Sequence, residues 1–177
     1  KSAVIDVGMY TVPYAEDFEL FWQLTRKYKH YHQEEILIAY RVNNQSLHQV
    51  LKKDEYALAQ RDQILRNVRH YTGVEYNLPL EYIEALQHNF QPLLKKKSVK
   101  YIVSFFYCLD YINACIFKTE NINRNVAADR EAADYKRKYI IDYFVKNLPI
   151  PKALSFLFHL KKYRTILKLA VNRLKRF

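Results

Sequence analysis

The sequence predicts a mainly α-helical protein, a helical bundle with one or two short strands, on three observations. Glycine occurs only at positions 8 and 73 of 177 residues, and proline five times. That scarcity excludes a Gly-rich phosphate loop, a collagenous repeat and a turn-dense β-sandwich. Apolar residues between positions 46 and 147 recur at helical spacing. One run alone, Ile36-Leu37-Ile38-Ala39-Tyr40-Arg41-Val42, is β-branched and aromatic enough for a strand. Hydrophobic residues make up 50% of the chain and charged residues 27%, enough apolar material for a core.

From the N-terminus, residues 1–15 read as an irregular or extended lead punctuated by Gly8 and Pro13. From Ala15 to Tyr28, Phe18, Phe21, Trp22 and Leu24 follow helical spacing, and acids at 16, 17 and 19 suit a helix N-terminus. The strand comes next. Ser46 is then placed to cap a long helix with Leu47, Leu51, Leu58, Leu65 and Val68 on one face, closed by Gly73. Pro79 suits the first residue of the next helix, with Leu80, Ile83, Leu86 and Phe90 inward, and Pro92 interrupts the pattern. Residues 98–118 are apolar nearly all round, a further long helix covers about 125–147, and Pro149 and Pro151 break it from the basic tail.

The net charge of +11 is a property of that tail. Residues 143–177 carry nine Lys/Arg and no acid, whereas all 18 acids lie before them. In the tail Leu160, Tyr163, Leu167, Ala170, Leu174 and Phe177 form one stripe, with Lys161, Arg164, Lys168 and Lys175 off it. A helix of this kind docks on its own core with a solvated outer face, or lies in the plane of an anionic membrane. Nucleic acid is a third partner class, which the absence of a ribonucleoprotein-type motif disfavours. Residues 101–117 are at the short limit for a membrane span and place Asp110 near its centre, which favours a buried helix instead. Cys108 and Cys115, seven residues apart on one helix, are too distant for a disulfide and are expected as reduced thiols. No charged segment followed by an apolar one opens the chain, so no secretory signal is expected.

Chemistry-bearing residues are sparse. His30 and His32 pair on one face of an extended segment, but two more zinc ligands at suitable spacing are lacking, so no metal site is expected. No serine or cysteine lies in a nucleophile elbow. The exception is Tyr14-Ala15-Glu16-Asp17-Phe18-Glu19-Leu20. Two adjacent acids at a loop-to-helix boundary complement the helix dipole, and a carboxylate there is also placed to take a proton from a hydroxyl.

Val4 to Ser46 resembles the C-terminal part of the catalytic domain of family 2 glycosyltransferases, which are inverting enzymes with the GT-A fold. The likeness rests on Val7-Gly8-Met9-Tyr10, on Ala15-Glu16-Asp17-Phe18, on the helix Glu19-Leu20-Phe21-Trp22-Gln23-Leu24, and on the strand ending Tyr40-Arg41-Val42. It implies that Asp17 is the general base that deprotonates the acceptor hydroxyl, with Glu16 beside it at the acceptor site. It also puts Arg41 and Asn43 in the vicinity of the acceptor or the diphosphate. Where the family often has His after the Tyr-Arg strand, this chain has Asn43, a poorer ligand whose amide oxygen still suits a hard cation. The family's nucleotide-binding strands and Asp-x-Asp motif belong ahead of Lys1.

The resemblance therefore implies the C-terminal portion of a nucleotide-sugar-dependent glycosyltransferase that uses a divalent metal, Mg or Mn, and acts on a glycan or lipid-linked acceptor. Residues 1–45 would end the catalytic domain, 46–148 form a helical extension, and 149–177 form the basic amphipathic helix. The chain alone is expected to bind no metal and to lack transferase activity. A cytoplasmic location, at the membrane's cytoplasmic face if the tail makes peripheral contact, and a homodimer through exposed apolar surface complete the expectation. The competing expectation is a non-catalytic helical interaction module whose basic tail binds membrane or nucleic acid.

Overall fold

The computed structural model describes residues 1–31, 33–36, 38, 52–164 and 166. Among these residues the protein is mainly helical, with eight helices and no strand. They are α1 (Ser2–Asp6), α2 (Glu16–Lys27), α3 (Lys53–Thr72), α4 (Leu80–Leu86), α5 (Gln91–Lys95), α6 (Val99–Lys118), α7 (Val126–Asn147) and α8 (Ile150–His159). The chain forms two compact units, one of residues 1–78 and 118–125, the other of 79–117 and 126–177. This division follows packing, whereas the boundaries at 45 and 148 follow resemblance and charge.

In the first unit, α1 replaces the irregular lead that the sequence suggests. Its closure explains why a helix ends there: Gly8 N–H donates to the Ile5 carbonyl and Met9 N–H to that of Val4, with Gly8 at a left-handed φ of 90°. Asp6 then ties α1 to the end of α2, accepting from Lys27 Nζ at 3.0 Å and from the Tyr28 hydroxyl at 2.8 Å. The hydrogen bond from Lys27, followed by that from Tyr28, holds the Asp6 carboxyl below its ordinary range. Asn123 fastens the C-terminus of α2, its Nδ2 donating to the Thr25 and Tyr28 carbonyls, both at 2.8 Å. Those are carbonyls a helix end leaves without an internal partner.

The described part of the next helix starts at Lys53, with Lys52 at its N-cap, and Gly73 closes it as expected. Ser46, Leu47, Leu51 and the strand's Ala39–Val42 lie outside the described residues. The inner face of α3 differs from the leucine stripe. Gln63, Asn67 and Val68 are buried, Leu65 is half-buried and Leu58 is exposed. The reason is the partner, because α2 brings Glu19, Gln23 and Arg26 to this face.

The second unit is held by rings. Phe90, Phe105, Phe106, Phe144 and Phe156 are fully buried. Phe106 meets Phe156 at 5.5 Å and Phe144 at 6.5 Å between centroids, and Phe144 meets Phe156 at 5.8 Å. Pro79 is the N-cap of α4 rather than its first residue, and Leu80 is exposed while Tyr82, Ile83, Glu84 and Ala85 are buried. Burial pushes the Tyr82 phenol up to about 12, and its hydroxyl donates to the Tyr101 carbonyl at 3.0 Å.

Among the described residues α6 is the one helix long and apolar enough to cross a membrane. In the fold it buries Ile102, Val103, Phe105, Phe106, Leu109 and Ile112, and its Asp110 pairs with Arg137 at 2.6 Å. Cys108 and Cys115 on it are free and half-buried.

The C-terminal segment is not one helix from 149 onward. α8 ends at His159, and the chain turns through Leu160 and Lys161. Lys161 N–H donates to the Phe158 carbonyl and Lys162 N–H to that of Leu157, with Lys161 at φ 57°. This is a Schellman closure. The stripe that begins at Leu160 therefore does not extend α8.

Candidate functional site

The acid pair lies where the sequence puts it, at the start of α2, and the local backbone shows why. Tyr14 takes a left-handed φ of 65°, so the chain turns sharply before Ala15, which is buried and precedes the first helical residue. The Tyr14 ring packs on Tyr56 at 5.2 Å, and Lys52 Nζ lies 5.0 Å above it while donating to its hydroxyl at 2.9 Å. The turn that delivers the acids is thus pinned to the start of α3.

Asp17 is exposed in the first turn of α2. Among the described residues its carboxylate has one hydrogen bond, Phe18 N–H to Oδ1 at 2.8 Å. Glu16 is half-buried, and its Oε2 is shielded from water with no partner among the described residues. A buried carboxylate oxygen without a donor is costly.

Behind the acids runs a polar network that the sequence does not announce. Glu19, buried, accepts from Gln23 Nε2 at 2.6 Å and lies 3.9 Å from Arg66. Arg66 donates to Gln63 Oε1. Gln63 Nε2 and an Arg26 Nη both donate to Asn67 Oδ1, at 3.1 and 3.0 Å. The Arg26 guanidinium stacks over Trp22 at 5.7 Å, and Trp22 meets Tyr71 edge-on. Burial, with the Arg26 cation second, holds the neighbouring His70 imidazole below its ordinary pKa. No sequence signal marks this network, since Gln63 and Asn67 at i, i+4 read as an ordinary polar pair on a helix.

Arg41, Asn43, His32, Lys168 and Lys175 lie outside the described residues. His30 is exposed, its N–H donating to Asn123 Oδ1 at 3.0 Å. Lys161 occupies the turn after α8, and Arg164 is exposed beyond it. Among the described residues no group of three or more His, Cys, Asp or Glu side chains is placed to hold a metal.

Comparison with protein-family models, with curated proteins and with solved structures gives no match.

Proposed function

We propose that this chain is the C-terminal portion of an inverting, nucleotide-sugar-dependent glycosyltransferase, and that it supplies the acceptor-side general base. The observation that carries the proposal is the Ala15-Glu16-Asp17-Phe18 motif at the first turn of α2, with Asp17 exposed and one carboxylate oxygen of Glu16 unsatisfied. A carboxylate at that turn can accept the proton of an acceptor hydroxyl while the hydroxyl oxygen attacks the anomeric carbon of the donor. The O–H bond breaks, a C–O bond forms, and the nucleoside diphosphate leaves from the opposite face with its bonding electrons. Glu16, half-buried beside Asp17, would border the acceptor site. The network of Glu19, Gln23, Arg26, Gln63, Arg66 and Asn67 would fix α2, and so the direction of both carboxylates.

Asp17→Asn in the complete enzyme keeps the shape and removes the basicity, so turnover should fall by about two orders of magnitude or more while KM for the acceptor changes far less. Wild-type turnover in the Asn variant would refute the assignment. The competing reading, a non-catalytic helical module, draws support from charge: the second unit has 17 Lys/Arg against seven Asp/Glu, and the first 12 against 11. The reading frame upstream of Lys1 separates the two. Alternating strands and helices with an Asp-x-Asp motif there support the enzyme, and their absence supports the module.

A further inference from the structure

The outer side of α8 combines two features that rarely occur together without a partner. Its inner side, Ala153, Phe156 and Leu157, is buried in the second unit. Its outer side is not polar. Ile150, Leu154 and Phe158 recur at i, i+4 and i+8, with Ile150 44% and Phe158 61% exposed. The turn after the helix brings Tyr163 (51% exposed) against Phe158, with ring centroids 5.9 Å apart. Three exposed cations, Lys161, Lys162 and Arg164, follow the strip in the segment after α8. No acid occurs anywhere from 143 to 177.

We infer that the outer face of α8, with Phe158 and Tyr163 at its centre, is a docking surface for an anionic lipid bilayer. Lipid is favoured over nucleic acid because an exposed apolar helical strip that ends in exposed cations matches the headgroup boundary, which takes up apolar side chains and cations together. The cations supply attraction to the anionic leaflet, and the amphipathic Tyr163 suits the interface. The surface shares Tyr163 with the tail stripe, but its α8 part is set apart from that stripe by the Schellman turn at Lys161, which ends the helix. It is also independent of any catalytic role for Asp17.

Co-sedimentation of the whole chain with vesicles tests this, using phosphatidylcholine alone and phosphatidylcholine mixed equally with phosphatidylglycerol. The chain should bind the anionic vesicles at least about tenfold more strongly than the neutral ones, and lose that binding near 1 M salt, where the Debye length is about 3 Å. Phe158→Ser, which alters an exposed position and should keep its circular dichroism, should weaken anionic binding by about tenfold. Lys162→Glu with Arg164→Glu should weaken it at least as much. Anionic binding by Phe158→Ser equal to wild type would overturn the inference, since charge elsewhere would then suffice. It would fall equally if vesicles left the chain in solution while a single-stranded oligonucleotide bound it, or while it formed a dimer that Phe158→Ser dissolves.

Discussion

The two units of this chain solve the same problem, burying one helix against another, with opposite chemistry. In the first, α2 meets α3 through Glu19, Gln23, Arg26, Gln63 and Asn67, joined by directed hydrogen bonds. In the second, α6, α7 and α8 meet through Phe106, Phe144 and Phe156, with no polar atom among those three side chains. A ring cluster is tolerant of small rotations and gains mostly from area removed from water. A polar network tolerates little, because each displaced donor or acceptor becomes a buried orphan. The directed interface belongs to the unit that has the acid pair, where a fixed helix direction would matter. The apolar interface belongs to the unit with the excess positive charge, where stability against self-repulsion matters more.

The largest test of this contrast is Phe144→Ala. Phe144 is fully buried and touches Phe90, Phe106 and Phe156, so its truncation should destabilise the second unit by about 3–5 kcal/mol. Urea denaturation followed by circular dichroism reads the loss. A cost under about 1 kcal/mol would mean that the cluster does not hold the helices together.

Asn67→Ala tests the first unit at a smaller scale. Removing Oδ1 leaves Gln63 Nε2 and the Arg26 guanidinium without their acceptor, an expected loss of about 1–3 kcal/mol. Asn67→Asp keeps an acceptor for both and should recover most of that loss at neutral pH. If Ala and Asp cost the same, packing volume rather than hydrogen bonding holds α2 on α3.

These positions also show what a sequence yields. α2, α6 and α7 were legible to within a residue or two of Glu16–Lys27, Val99–Lys118 and Val126–Asn147, because long apolar periodicity and terminal acids or prolines are local signals. The acid pair was legible for the same reason, as a motif contiguous in the chain. The inner face of α3 was not, since a buried Gln63 and Asn67 make sense only once Arg26, far away in sequence, is beside them. Nor was α1, whose closure depends on hydrogen bonds from Gly8 and Met9 rather than on apolar spacing. The turn at Lys161 escaped because a lysine in left-handed backbone carries no sequence mark.

The placement of glycine at left-handed turns gives the smallest expected effect. Both glycines belong to the first unit, and each occupies a left-handed position, Gly8 at φ 90° and Gly73 at φ 107°. The second unit has no glycine, so its left-handed positions among the described residues all have side chains, His88 at φ 68°, Lys97 at 54° and Lys161 at 57°, as Met9 at 59° and Tyr14 at 65° do in the first unit. A residue with a Cβ in that region is strained by about 1–2 kcal/mol. Lys97 is the cleanest place to measure it, since its side chain is exposed and its contributions to the fold are backbone ones, an N–H that donates to the Leu94 carbonyl at 3.0 Å and a carbonyl that accepts from Lys152 Nζ at 2.8 Å. Lys97→Gly keeps that carbonyl and relieves the strain, but gives the unfolded chain more freedom, worth about 0.5–1 kcal/mol in the other direction. The net expectation is a gain of about 0.5–1 kcal/mol, read as a rise in melting temperature of about 1–4 °C. The matching change in the first unit, Gly73→Ala, should lower it, because a Cβ finds open space there but an unfavourable φ. Equal shifts of the same sign would show that left-handed closure does not distinguish the two units.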